Sequence, residues 1–210
     1  MLQIPQLSKS YNETEILNIK NFEPGNGLYW VQGVNGAGKS TFFKAIAGLI
    51  SFNGQCIIDG ISLKKSPVEY RRKITYCEAE PEFPDFLTQK DLVHFVAKAR
   101  NAKQEQIDYL QTVLGTKAYE NQPVGTYSSG MLKKTGLLLA FLGKLGIILL
   151  DEPFTAIDHQ SVDNLIELIK EYQISHKTTF LVTSHIDSGH YHLPFDKVYK
   201  IENKKITEVE

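Results

Sequence analysis

Gly33-Val34-Asn35-Gly36-Ala37-Gly38-Lys39-Ser40 decides the reading of this chain. Its spacing fits the G-x-x-x-x-G-K-S pattern, in which a strand turns through a glycine-rich loop into a helix. The flanks agree. Leu28-Tyr29-Trp30-Val31-Gln32 is a β-prone run, and residues 40–49 have helical texture closed by Gly48. Gly33, Gly36 and Gly38 let backbone N–H groups turn inward around a phosphate with no Cβ in the way. The helix that follows points the positive end of its dipole at the same place. Lys39 adds a full charge toward β- and γ-phosphates, and Ser40 offers a hydroxyl to Mg²⁺. A chance glycine-rich turn has no reason to sit between that strand and that helix, so the loop reads as a nucleotide site.

The second half of such a site lies at Ile147-Ile148-Leu149-Leu150-Asp151-Glu152. Four aliphatic residues in a row suit a strand buried on both faces of a parallel sheet. Carboxylates at its C-terminal end fall on the edge where open α/β sheets bind ligands. Asp151 is placed to hold Mg²⁺ through water, and Glu152 to polarise an attacking water. Alone, the pair reads equally well as a solvated acidic turn; beside the glycine loop it reads as catalytic.

Around these anchors, residues 2–7, 16–22, 74–77 and 179–183 read as strands, and 55–58 with 61–63 as a hairpin about Asp59-Gly60. A last hairpin spans 197–209 about Asn203-Lys204. From about residue 78 to 144 the texture is helical. Thr88 and Asp91 form a capping pair ahead of Leu92, Phe95, Val96 and Ala99. Residues 105–114 and 131–142 read as further helices, the latter after Ser128-Ser129-Gly130, and 161–172 as another. Strands alternating with helices predict an α/β fold with a mainly parallel sheet, antiparallel β elements and an inserted helical segment. The 210 residues, at about 150 per domain, fit one domain: a core of residues 1–77 and 145–210 with a helical subdomain at 78–144.

Composition narrows the partners. Lys plus Arg is 23 against 24 Asp plus Glu, a net charge of −1, which leaves no electrostatic footprint for nucleic acid. Cys56 and Cys77 are too few for a disulfide scaffold and lack metal-ligand spacing. The longest apolar run, residues 136–150, is short for a bilayer and contains Lys144. Residues 1–5 have neither a basic region nor an apolar core for a secretory signal. The chain is expected to be soluble by itself, any membrane role requiring a partner that supplies the spans.

Between the two anchors, Tyr127-Ser128-Ser129-Gly130-Met131 resembles the signature motif of ATP-binding-cassette (ABC) ATPases, in the style of many exporter subunits. Asp151-Glu-Pro-Phe-Thr-Ala-Ile-Asp158 is similar to that family's Walker B motif running into its D-loop. Thr183-Ser184-His185 looks like its switch histidine, and Tyr11 lies where the family stacks an aromatic on adenine. The motifs come in the family's order and span essentially the whole chain.

The resemblance implies an ATP-hydrolysing P-loop (RecA-like) domain using ATP and Mg²⁺. Its ATP-binding set is Tyr11, Gly33, Asn35, Gly36, Ala37, Gly38, Lys39, Ser40 and Thr41. Ser40 and Asp151 hold the metal, Glu152 activates water, and His185 touches the γ-phosphate. It further implies a head-to-tail dimer with itself or a homologous subunit, in which Ser128, Ser129, Gly130 and Met131 of one chain close on the nucleotide of the other, with Asp158 at the interface. Such a dimer drives membrane-spanning permease subunits from the cytoplasmic face of the cell membrane.

Two positions depart from the pattern. Ser129 stands where the family usually has Gly. After residues 74–77, the place of a glutamine that touches Mg²⁺ or the attacking water is taken by Ala79, between Glu78 and Glu80. A carboxylate is a good ligand for a hard cation, so Glu78 or Glu80 is a candidate substitute. Two other classes stay open: a cassette ATPase uncoupled from transport, and a nucleotide-gated dimer with impaired turnover. A small-molecule kinase would leave Tyr127–Met131 and His185 without a purpose. The signature style and the ending at the last hairpin favour a small exporter, by analogy alone.

Overall fold

The computed structural model describes residues 1–184 and 188–209. The chain opens with a hairpin. β1 (Leu2–Tyr11) and β2 (Thr14–Gly25) pair antiparallel across a turn at Asn12, which takes the left-handed conformation. β3 (Leu28–Gln32) leads into α1 (Lys39–Ile46). β4 (Asn53–Ile58) and β5 (Ile61–Ser62) form a second hairpin, and β4 pairs with β1. The result is an antiparallel sheet in the order β2-β1-β4-β5. At Gly54, φ is +112° and a Cβ would lie 2.0 Å from the Gln6 carbonyl oxygen, so the approach of β4 to β1 depends on glycine.

A second sheet holds β6 (Ile74–Cys77), β7 (Ile147–Asp151), β8 (Thr179–Thr183), β9 (Lys197–Glu202) and β10 (Lys205–Val209). Its order is β10-β9-β3-β8-β7-β6, parallel throughout except for the β9–β10 hairpin. This is the mainly parallel α/β core expected from the sequence. The helical texture resolves into α2 (Pro67–Arg71), α3 (Gln89–Arg100), α4 (Gln104–Leu114), α5 (Ser129–Phe141) and α6 (His159–His176). Sequence periodicity gives no sign of α2, whose five residues are too few for an apolar stripe. Buried Tyr70 holds it by donating its hydroxyl to the Ile46 carbonyl at 2.8 Å. The helix expected at 161–172 runs longer at both ends. The Asp158 carboxylate accepts from the Ser161 N–H at 2.9 Å and caps its start, and left-handed Lys177 closes it. Thr88 and Asp91 form the capping box at the start of α3.

Alternation along the parallel strands splits the core in two. Val31, Leu149 and Leu181 face α1 and the antiparallel sheet, packing with Phe42, Phe43, Leu17 and Ile19. Trp30, Ile148, Leu150, Phe180 and Val182 face the other way, onto Leu137 and Phe141 of α5 and Leu165 and Ile169 of α6. Val93 of α3 and Leu110 and Leu114 of α4 join that same cluster, so residues 78–144 share a core with the sheet. No helix among the described residues is long and apolar enough to cross a membrane.

Leu149 is fully buried between β7's neighbours and α1. Leu149→Ala is expected to lower the unfolding free energy by about 3 kcal/mol, and Thr88→Ala, which removes only the cap, by about 1 kcal/mol. Urea melts of the three proteins check the order; equal losses would contradict the packing described.

Candidate functional site

Because β3, β7 and β8 are parallel, their carboxyl ends lie on one edge. Register sets Val31 beside Thr183 and Thr183 beside Asp151. The glycine loop leaves this edge after β3, and the Asp151-Glu152 pair leaves it after β7. Together they form a cleft of about 470 Å³ lined by Tyr11, Ile16, Asn35 through Thr41, Asp151 and Glu152. Nearly all of the sequence-predicted nucleotide set thus comes together in one place; Gly33 underlies the cleft at the end of β3.

The loop has the features an anion requires. Gly36 and Gly38 have φ of +81° and +100°. A Cβ on Gly33 would lie 2.8 Å from the Ile201 carbonyl, so the loop's first glycine is set by the neighbouring strand. Gly38 is the N-cap of α1 and supplies no side-chain cap, and no acidic residue follows in the first turn. No side-chain cap therefore covers the N-terminal N–H groups of the helix where they meet the cleft. Lys39 is 8% exposed, and its ammonium donates to the Gly33 carbonyl at 2.7 Å and more weakly to that of Val34 at 3.5 Å. Among the described residues this buried cation is answered by carbonyl dipoles, which suits phosphate oxygens.

Asp151 is buried, and each carboxylate oxygen accepts one hydroxyl: Oδ2 from Tyr76 at 2.9 Å and Oδ1 from Thr183 at 2.5 Å. Burial and the adjacent Asp151 carboxylate push the Tyr76 phenol well above its usual range, so it stays a donor. The remaining lone pairs of Asp151 and the Ser40 hydroxyl both belong to the cleft. Among the described residues no three His, Cys, Asp or Glu side chains gather to cage a metal. One carboxylate and one hydroxyl completed by substrate phosphates is the way Mg²⁺ is commonly held, so the donor set fits that ion.

Glu152 breaks from the strand with φ of +46°, a left-handed conformation costing about 1 kcal/mol for a residue with a Cβ. Its N–H donates to the Thr183 carbonyl at 3.1 Å and the Thr183 hydroxyl at 3.2 Å. Thr155 returns its hydroxyl to the Glu152 carbonyl at 2.8 Å. The strain re-aims the side chain into the cleft.

The signature residues lie elsewhere. Ser128 caps α5, accepting from the Met131 N–H at 3.3 Å, and Ser128 and Ser129 are exposed outside the cleft lining. Within one chain, then, the signature does not meet the glycine loop. Gly130 faces the loop after β7: a Cβ there would sit 2.6 Å from the Ala156 carbonyl. The Lys134 ammonium binds Asp158 at 2.7 Å on the same side, holding that carboxyl well below its usual range. Asp158 is thus committed to α5 and to the cap of α6.

Tyr11 ends β1, 48% exposed, with the Lys9 ammonium 4.7 Å from its ring. His185 lies outside the described residues. Glu78 and Glu80 are not among the residues lining the cleft, and the Glu78 carboxylate pairs with Lys44 at 2.8 Å, which raises the pKa of Lys44. Sequence reasoning missed Tyr76, Thr183 and the buried Lys133 of α5, whose roles depend on strands and helices far apart in the chain. Burial pushes the Lys133 ammonium below the usual lysine range, partly offset by Cys77, Asp151, Glu152 and Glu80.

Residues 21–155 match the family described as ABC transporter. The chain is 31% identical to the lantibiotic transport ATP-binding protein SrtF of Streptococcus pyogenes, covering 100% of this chain and 91% of that protein. It is 30% identical to the cytochrome c biogenesis ATP-binding export protein CcmA of Legionella pneumophila, covering 94% of this chain and 96% of the relative. Among solved structures, the ATP-binding subunit of an ABC transporter superposes with a TM-score of 0.88 at 24% identity, over 100% of this chain and 89% of the other. A dimeric, post-hydrolysis ATP-binding cassette bound to ADP and Pi gives 0.84 at 19% identity, over 100% and 98%. These two likenesses carry the fold; the family match and the relatives carry the kinship. The chain belongs to the ABC transporter family of ATP-binding, ATP-hydrolysing cassettes.

Proposed function

We propose that this ATPase is the motor subunit of an exporter-type ABC transporter, working as a head-to-tail dimer on the cytoplasmic face of the cell membrane beside separate membrane-spanning subunits. The observation that carries the reading is the separation of two helix N-termini: the uncapped end of α1 opens on the cleft, whereas the Ser128-capped end of α5 is exposed away from it. A second copy turned head to tail supplies the missing half. The name of the cytochrome c biogenesis relative, an ATP-binding export protein, favours export, and that of the lantibiotic relative favours transport.

In this reading the amides from Gly33 to Thr41 and the Lys39 ammonium hold the triphosphate and offset charge that develops on the transferred phosphoryl group. Tyr11 supports the adenine through its ring face. Ser40 and Asp151 would hold Mg²⁺, which would supply charge neutralisation for the triphosphate. Glu152 takes a proton from the attacking water, a role that suits a carboxylate aimed by a strained backbone. His185 positions the γ-phosphate. Ser128, Ser129, Gly130 and Met131 grip the nucleotide of the partner copy, with Asp158 alongside. Hydrolysis removes the charge that the α5 N-terminus grips, so the dimer opens. Residues 78–144 act as the arm that reaches the permease, with half-buried Phe83 and exposed Phe86 offered to a helix of the partner.

Glu152→Gln is expected to retain ATP, abolish turnover and run as a dimer by light scattering in ATP and Mg²⁺. A protein that stays monomeric there, alone and with its permease, removes the reading. A role for Glu78 or Glu80 at the metal requires Glu78 to release Lys44 or Glu80 to turn inward. It predicts that Ala at both positions lowers turnover about tenfold and raises the Mg²⁺ needed for half-maximal rate. Unchanged values would leave Glu78 as the partner of Lys44 alone.

A further inference from the structure

Lys133 is 1% exposed, among the largest fully buried side chains of the protein. Its ammonium donates three hydrogen bonds of 2.9 Å, to the main-chain carbonyls of Glu78, Ala79 and Asp151. All three protons are used, and none of these acceptors is a carboxylate. A cation placed like this is expensive to bury, and an apolar side chain of similar volume would commonly serve stability as well or better. Its value must therefore lie in what it connects.

It connects three segments that bear on hydrolysis. The Asp151 carbonyl belongs to the peptide that joins Asp151 to Glu152, immediately before the left-handed residue. The Glu78 and Ala79 carbonyls belong to the segment after β6, where this chain has no glutamine side chain to reach the nucleotide. Lys133 itself stands one helical turn beyond Gly130, on the helix whose exposed N-terminus is assigned to the partner's nucleotide. Neighbouring contacts tie the same turn of α5 to the loop after Glu152: Gly130 against the Ala156 carbonyl and Lys134 on Asp158. The peptide orientation at 151–152 is thus set from one side by Thr183, which accepts the Glu152 N–H, and from the other by Lys133.

We propose that Lys133 is a positioning residue for ATP hydrolysis, a single buried ammonium that locks the Asp151–Glu152 peptide to the signature helix and to the segment at Glu78-Ala79. When the N-terminus of α5 closes on the partner's nucleotide, the same side chain sets the direction of the Glu152 carboxylate. Through its main-chain bonds it ties residues 78–79, where the family's glutamine is missing, to the Asp151–Glu152 peptide. The proposal rests on Glu152 as the base.

The test is Lys133→Met, which keeps the stem and removes the donors, read against Lys133→Gln, which is neutral but retains N–H donors. Steady-state turnover per folded molecule is measured with the affinity for a fluorescent ATP analogue. Dimerisation is followed in the Glu152→Gln background. The expected result is a fall in kcat of about tenfold or more for the Met variant, with analogue affinity and ATP-dependent dimerisation retained, and partial recovery in the Gln variant. Turnover within about threefold of the parent, or a loss matched by an equal loss of nucleotide affinity, overturns the proposal. If the Met variant does not fold, Lys133→Leu, which also lacks the donors, is read by the same criteria against the parent. Glu152→Gln run in parallel separates the two ideas: full activity there removes the base assignment, whereas an inactive Glu152→Gln beside an active Lys133→Met removes only the role of Lys133.

Discussion

A carboxylate can be buried at the end of a sheet strand only if its lone pairs are answered, and the site is arranged around that requirement at Asp151. Tyr76 on β6 and Thr183 on β8 flank it and donate one hydroxyl to each oxygen. Both donors come from strands parallel to β7, so the strand order places them there. The Thr183 hydroxyl has a second duty, accepting from the Glu152 N–H as the chain leaves the sheet. The Asp151 carboxylate and the Glu152 backbone therefore share one threonine.

The same edge explains why the glycine loop sits where it does. β3 is the other neighbour of β8, and the loop that follows it shares the cleft with Asp151. Lys39 folds back on the loop's own carbonyls, keeping a full positive charge beside the uncapped end of α1. Asp151 and the start of the glycine loop are thus fixed by strands β7 and β3 on either side of β8. Sites built on regular elements keep their geometry better than sites on loops alone.

α5 plays a different part. Its apolar face joins Leu137, Leu138 and Phe141 to the core beneath β7 and β8. Its first turn reaches the surface at Ser128 and Ser129. Between the two, Lys133, Lys134 and Gly130 touch the segment at Glu78-Ala79 and the loop after Glu152. A helix anchored in this way transmits displacement of its exposed end to buried groups, because a close-packed interior shifts as units and does not deform smoothly.

The order of strands and helices, the glycine loop and the acidic pair were legible in the chain alone, because each depends on residues only a few positions apart. Alternation, capping boxes, backbone freedom at glycine and a run of aliphatics ahead of Asp151 are local signals. Short elements such as α2 escaped, having no room for a period, and α6 was read short because its first and last turns lie beyond the apolar stripe. What surrounds Asp151 and Glu152 was decided by the tertiary structure. Tyr76 is 75 residues from Asp151, Thr183 is 32 away, and Lys133 is 18 away across a helix and a strand. No sequence spacing encodes such meetings; they exist only once strand order, register and the seating of α5 bring distant groups within hydrogen-bond reach.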